Sequence, residues 1–207
     1  MAAELVFYFN PMSRARIARW MLEETGAPYR AEMLDFSTTM KSPEYLAINP
    51  MGKVPAIRHG KVVVTECAAI CAYLADTFPA ARLAPPVSDR GDYYRWLFFA
   101  AGPLEAAVSN NALGLQVPTD KQRMIGYGTY KAVMDTLEQA VKGKSHIAGD
   151  RFSAVDVYVG AHIGWGLQFG SIEKRPAFVD YYKRVSDRPA AQRATELDDA
   201  LMPKKSA

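Results

Sequence analysis

The residues with the clearest chemistry lie between Asn49 and Cys67, in NPMGKVPAIRHGKVVVTEC. Two short apolar runs, VPAI and VVVTE, flank Arg58-His59-Gly60-Lys61, which reads as a tight hairpin turn carrying Gly. Glu66-Cys67 then opens AAICAYLAD, apolar at helical spacing. Pro55 donates no ladder hydrogen bond, so it marks a strand start or an edge. X-Pro bonds are also the ones whose cis form is cheap, at about 0.5–1 kcal/mol. In that form the Val54 N–H and C=O turn outward, available to a peptide-like ligand. A few residues on, a helix N-terminus offers free N–H groups suited to a carboxylate. The combination describes a receptor for a small, extended peptide acid.

The elements that must hold this receptor can be read along the chain. Leu5 to Phe9 is aromatic and β-branched, a strand. Asn10-Pro11-Met12-Ser13 is a turn, with Ser13 as N-cap of the helix RARIARWMLEETG and Gly26 as its C-terminal stop. Ile17, Ala18, Trp20 and Met21 form one face of that helix; Arg14, Arg16, Arg19, Glu23 and Glu24 take the others. Pro28 to Leu34 reads as a second strand, parallel to the first by a right-handed crossover. Ser42-Pro43-Glu44 opens a short helix with Pro at its first position, ending before Asn49-Pro50. The hairpin and a helix over Glu66–Phe78 complete the order βαβ-α-ββ-α, which resembles a thioredoxin-like fold.

Residues 80–88 form a Pro-rich linker without periodicity. Beyond it the pattern is helical: Asp89 to about Leu113 kinked at Pro103, then Thr119 to Lys142 with Met124, Tyr127, Tyr130, Met134, Leu137 and Val141 as its apolar stripe. Ser153-x-x-Asp156 ahead of an apolar run is a capping box with Asp in place of Glu or Gln, and Phe152 and Val157 occupy the staple positions. Pro176 to Ser186 and Pro189 to Leu197 are two further short helices. The expected organisation is an α/β thioredoxin-like N-terminal domain over 1–79, a linker over 80–88 and an all-α C-terminal bundle over 89–207.

GKVPAI, a hairpin, and an acidic residue with a small one opening a helix resemble the glutathione site of the cytosolic glutathione transferases. The likeness extends over almost the whole chain, since the Ser153 box is similar to the motif that nucleates the buried helix of that family's second domain. The resemblance implies that Val54, beside Pro55, pairs with the cysteinyl backbone of glutathione. Glu66 takes the γ-glutamyl ammonium and the helix start at Cys67 its carboxylate. Lys53, with Lys41 as an alternative, reaches the glycyl carboxylate. Cys67 departs from the family's usual Ser or Thr, and a thiol is the weaker donor, although the backbone N–H is unaffected.

A thiol of pKa about 8.5 is only about 3% ionised at neutral pH. Lowering that pKa by two units takes about 2.7 kcal/mol, which a hydroxyl donor and a helix N-terminus can supply together. Three donors compete here. Tyr8 lies in YFNPMSRARIARW, which resembles the YFxxRGRxxxxRW spacing of tyrosine-using transferases, with Arg14 at an arginine near glutathione. Ser13 sits at the helix mouth in a stretch similar to the PGSCS loop of bacterial transferases, where the reactive cysteine's position is held by Arg14. Asn10 could donate an amide hydrogen bond. Each also has a purely structural reading: a strand aromatic, an N-cap, a turn residue.

The resemblance implies a transferase that uses glutathione as co-substrate, without a metal, against a small hydrophobic electrophile. It also implies a homodimer with a detoxifying role. The electrophile is expected between the domains, with Tyr93, Trp96, Phe99, Leu104 and Trp165 as apolar candidates. Glutathione-dependent peroxide reduction or isomerisation, and binding without turnover, are the alternatives. Composition agrees with an ordinary globular chain: 207 residues, 49% apolar, 23% charged. A scattered net charge of +3 carries no nucleic-acid footprint. Its longest basic cluster is the terminal Lys204-Lys205, read as a solvated tail. No apolar run approaches a membrane span and MAAELVFYFN has no basic leader, so a cytoplasmic protein is expected. Cys67 and Cys71, one helical turn apart, match neither a redox CxxC nor a zinc site, and Cys71 reads as core packing.

Overall fold

The computed structural model describes residues 3–202, so Lys204-Lys205 lie outside the described residues. Two compact units are present, one running to Leu83 and resuming at Arg188, the other comprising Ala84–Asp187. Their boundary at Leu83 and Ala84 falls within the Pro-rich 80–88 stretch, and the last helix groups with the first unit.

In the first unit β1 (Leu5–Phe9) runs parallel to β2 (Arg30–Met33) and antiparallel to β3 (Ala56–His59), which pairs with β4 (Val62–Thr65) in the order β2-β1-β3-β4. The β1–β2 crossover is α1 (Ala15–Thr25), ended by Gly26 at φ +65°, a left-handed conformation that costs glycine little. α2 (Pro43–Leu46) follows, capped by the Ser42 hydroxyl, and α3 (Cys67–Thr77) comes directly after β4. Alternation along β1 sends Val6 and Tyr8 into a cluster with Leu34, Met40, Tyr45 and Ala56. Phe7 and Phe9 face the other way, stacked 5.2 Å apart under the guanidinium of Arg19 on α1.

The hairpin turn is tighter than the sequence suggests. Arg58 and His59 belong to β3, and Gly60-Lys61 alone connects His59 to its partner Val62, with Gly60 at φ +59°. β2 is likewise shorter than Pro28–Leu34. Neither Cys67 nor Cys71 is in a disulfide, and Cys71 is fully buried.

The second unit consists of α4 (Gly91–Phe99), α5 (Glu105–Ala112), α6 (Tyr130–Val141), α7 (Ala154–Phe169) and α8 (Pro176–Ser186). The expected distortion at Pro103 is a wide turn over Ala100–Leu104, in which the Glu105 N–H reaches the Ala100 carbonyl five residues back. The helix expected from Thr119 to Lys142 is a correction. Thr119–Met124 is a run of 3₁₀ turns, Gly128 at φ +69° breaks the path, and α6 starts only at Tyr130 behind its Thr129 cap. Met124, placed in the buried stripe, is 76% exposed, whereas Met134, Leu137 and Val141 are buried. Among the described residues no helix is long and apolar enough to cross a membrane.

α7 begins at the Ser153 capping box, and its Asp partner does more than cap. Asp156 is fully buried; Oδ2 accepts the Ser153 N–H at 2.9 Å, and Oδ1 accepts the Ile147 N–H at 2.9 Å and the Tyr181 hydroxyl of α8 at 2.6 Å. Burial raises the Asp156 pKa above its ordinary value, although the donors that it accepts work against this. The carboxylate thereby ties two helices and the preceding loop together. With the Ser153 hydroxyl, which also donates to Oδ2, Asp156→Ala leaves four buried donors without this acceptor, and we expect a loss of about 3 kcal/mol or more in chemical denaturation, against about 1 kcal/mol for Ser153→Ala.

Candidate functional site

Strand register decides which loops meet. Tyr8 faces Ala56 and Ala56 faces Thr65. The residues after Tyr8, those before Ala56 and those after Thr65 therefore leave the sheet at one end. That end gathers Asn10, Ser13 and Arg14, then Val54 and Pro55, then Glu66 and Cys67. A direct contact joins two of these segments, the Cys67 Sγ donating to the Arg14 carbonyl at 3.7 Å.

The Val54–Pro55 bond is cis. The preceding Lys53 carbonyl accepts both the Tyr45 hydroxyl at 2.6 Å and the Asn49 side-chain amide at 2.7 Å. The Asn49 oxygen in turn holds the Met51 N–H at 3.1 Å, and its carbonyl holds the Gly52 N–H at 2.8 Å. Gly52, at φ +55°, is enclosed so closely that a Cβ would lie 3.0 Å from the Met40 carbonyl. The Val54 side chain packs against the Tyr8–Tyr45 cluster. Its N–H and C=O have no hydrogen-bond partner among the described residues. Anchored side chain and unpaired backbone make Val54 a place where an extended peptide can dock.

Glu66 precedes α3 at φ +64°, ψ +117°, a left-handed conformation that costs a residue with a Cβ about 1–3 kcal/mol. Its carboxylate has no ion pair among the described residues and lies exposed beside the start of α3. In the first turn, the Ala68 and Ala69 N–H groups have no partner among the described residues. An acid and free helix N–H groups side by side suit a zwitterionic α-amino acid, the acid for its ammonium and the N–H groups for its carboxylate.

The donor candidates differ in their surroundings. Tyr8 is 5% exposed; its ring lies 5.6 Å from that of Tyr45, and its hydroxyl accepts from Arg58 Nε at 3.4 Å. Arg58 stands opposite Val6 in the register, so the partner that the Tyr8 hydroxyl finds is a side chain of β3 and not one from the gathered loops. Asn10 is committed: its amide donates to the Leu34 carbonyl at 2.8 Å and its oxygen accepts the Met12 N–H. Ser13 is half-buried, its hydroxyl donating to the Asn10 carbonyl at 2.7 Å and accepting the Ala15 N–H at 3.1 Å. α1 itself starts one residue later than the Ser13 cap predicts, with Arg14 at the cap position. Of the two lysines, Lys41 donates to the Gly52 carbonyl at 2.7 Å, while the ammonium of Lys53 has no partner among the described residues.

Tyr45 and Asn49 did not stand out in the sequence. The Asn-Pro-x-Gly turn is the signal that could have exposed Asn49, since Asn side chains commonly accept from the N–H two residues on. Burial raises the Tyr45 pKa from 10.0 to about 12. A raised folded-state value means that its contribution is complete below the unfolded pKa and is lost as pH rises toward the folded one. Stability should therefore fall between pH 10 and 12, and Tyr45→Phe should show a shallower fall in denaturation curves over that range.

The chain has relatives among known proteins. The model of the glutathione S-transferase N-terminal domain matches residues 11–77 and that of the C-terminal domain residues 107–189. A glutathione S-transferase of Xanthomonas campestris, GST-4.5, is 26% identical over 198 residues, covering 88% of this chain and 92% of that protein. The crystal structure of a Methylococcus capsulatus glutathione transferase superposes with a TM-score of 0.78 at 27% identity, covering 95% of this chain and 99% of that one. A sphingomonad glutathione S-transferase complexed with glutathione reaches a TM-score of 0.75 at 28% identity, covering 94% and 98%. With both domain models matched in order over most of its length, the chain belongs to the glutathione S-transferase family.

Proposed function

We propose that this protein is a glutathione transferase that binds glutathione at the gathered loop ends and activates its thiol for attack on a small apolar electrophile. The observation that carries the reading is the unpaired Val54 backbone facing the same end of the sheet as Glu66 and the free N–H groups of α3. In this reading Val54 pairs with the cysteinyl unit, Pro55 fixing the edge beside it. Glu66 takes the γ-glutamyl ammonium, and the N–H groups at the Cys67 end of α3 take the carboxylate. Lys53 rather than Lys41 meets the glycyl carboxylate, because the Lys41 ammonium is already engaged. Arg14 contributes positive charge at the mouth of α1.

For the thiol we propose Ser13. A hydrogen bond to a charged group is worth about 1.5–3 kcal/mol, and a helix N-terminus about 0.3–1 kcal/mol more. Together they reach the roughly 2.7 kcal/mol that a two-unit drop in thiol pKa requires. The Ser13 proton would turn from the Asn10 carbonyl to the sulfur, while the Ala15 N–H continues to polarise the oxygen. The thiol proton leaves to water, and the sulfur electron pair then forms a C–S bond to the electrophilic carbon as that carbon's bond to its leaving group breaks, the group departing with the bonding pair. Met12, 55% exposed next to Ser13, supports an apolar electrophile. A homodimer is proposed with it, since the edge strand β4 leaves Val62 and Val63 exposed. A cytoplasmic location accords with glutathione as co-substrate.

Ultraviolet titration of bound glutathione tests the reading. The wild type should lower the thiol pKa by about two units, Ser13→Ala should abolish most of that shift, and Tyr8→Phe should leave it nearly unchanged. Glutathione that binds but ionises at its free value would replace the transferase reading with binding alone. Glu66→Gln should raise KM for glutathione about tenfold with kcat little changed, the pattern of lost ground-state binding.

A further inference from the structure

The C-terminal helix α9 (Pro189–Asp199) lies, all but its first residue, beyond the family model that ends at residue 189. It packs against α1 within the first unit. The contacts are charged and run the length of α1. Arg188, just ahead of α9, holds both carboxylate oxygens of Glu24 at 2.7 Å. Asp198 accepts Arg19 Nε at 2.8 Å, with the two residues only 1% and 3% exposed. Asp199 accepts Arg16 Nη2 at 2.5 Å.

Two of these contacts continue into the site. The Arg19 guanidinium lies 4.2 Å from the ring centre of Phe9, the last residue of β1 before the Asn10–Arg14 loop. Arg16 extends its other nitrogen, Nη1, to the Pro11 carbonyl inside that loop at 3.4 Å. The start of the loop segment, from Phe9 to Pro11, is thus referred to α9 through α1. The Arg19–Asp198 pair is also incompletely satisfied, since Arg19 Nη2 and Asp198 Oδ2 have no hydrogen-bond partner among the described residues. A buried pair with unmet atoms is a poor device for stability alone, and fixing one geometry is the role it fits better.

We propose that α9 is a clamp on α1, and that Arg19, Asp198, Arg16 and Asp199 are positioning residues for the Asn10–Arg14 loop. For its effect on glutathione the clamp rests on the transferase reading; for its effect on the loop it does not. The test uses the full chain with Asp198→Asn, which keeps the shape of the side chain, and the exposed Asp199→Ala as a second variant. Hydrogen exchange should quicken about tenfold or more for amides 12–17 in Asp198→Asn and less in Asp199→Ala, with the amides of the second unit unchanged. In parallel, the pKa of bound glutathione should rise and KM should increase more than kcat falls, and Asp198→Glu should restore part of both. Exchange at 12–17 that stays at the wild-type rate while α9 itself loosens overturns the clamp, as does a uniform rise over the whole chain. A wild type that fails to bind glutathione sinks the transferase reading, and the exchange pattern still decides the clamp.

Discussion

Two buried donors, the Tyr45 hydroxyl and the Asn49 amide, converge on the carbonyl of Lys53, and the presentation of Val54 depends on that convergence. A carbonyl with both lone pairs occupied holds its peptide plane from two directions. Within the loop Asn49–Lys53 one backbone bond, from the Gly52 N–H to the Asn49 carbonyl, closes a turn, and the side chains of Tyr45, Asn49 and Lys41 hold the rest of its shape. The strand that follows can then begin at Ala56, in register with Tyr8 and Thr65. Register in turn delivers the α1 and α3 entrances to the same end of the sheet. A recognition surface made mostly of backbone is built in this way, with side chains serving as its scaffold.

Much of this was legible in the sequence because it depends on local chemistry. Proline at a strand start and the Ser153 box each act within four residues and appear where the pattern puts them, and Gly60 lies in the turn as expected although Arg58 and His59 extend the strand before it. The kink at Pro103 follows from a missing amide donor and needs no tertiary information. The α6 start failed for an equally physical reason. Periodicity continued through Met124, Tyr127 and Tyr130, but Gly126 and Gly128 interrupt it, and the left-handed Gly128 outweighs a stripe whose first member, Met124, stays exposed.

What stayed hidden was long-range. Arg19, assigned to a polar face of its helix, is buried because α9 comes back over that face from 179 positions further along the chain. No pattern within either helix announces the other. The partner of Tyr8 was equally hidden: strand alternation gives its face, and only the folded sheet brings Arg58 to its hydroxyl. The choice among Tyr8, Asn10 and Ser13 was therefore open to the sequence, since the hydrogen bonds that commit the Asn10 amide to the Leu34 carbonyl and turn the Ser13 hydroxyl to the Asn10 carbonyl depend on the folded chain.

Glu66 carries a consequence for how this chain can change over generations. Its backbone sits at φ +64°, where glycine would relax the strain and raise the stability of the fold. The same exchange would delete the carboxylate proposed to hold the ammonium of the bound tripeptide. Selection for robustness and selection for recognition therefore pull opposite ways at one position. A lineage freed from glutathione would be expected to drift there first, toward a sturdier protein that no longer knows its ligand.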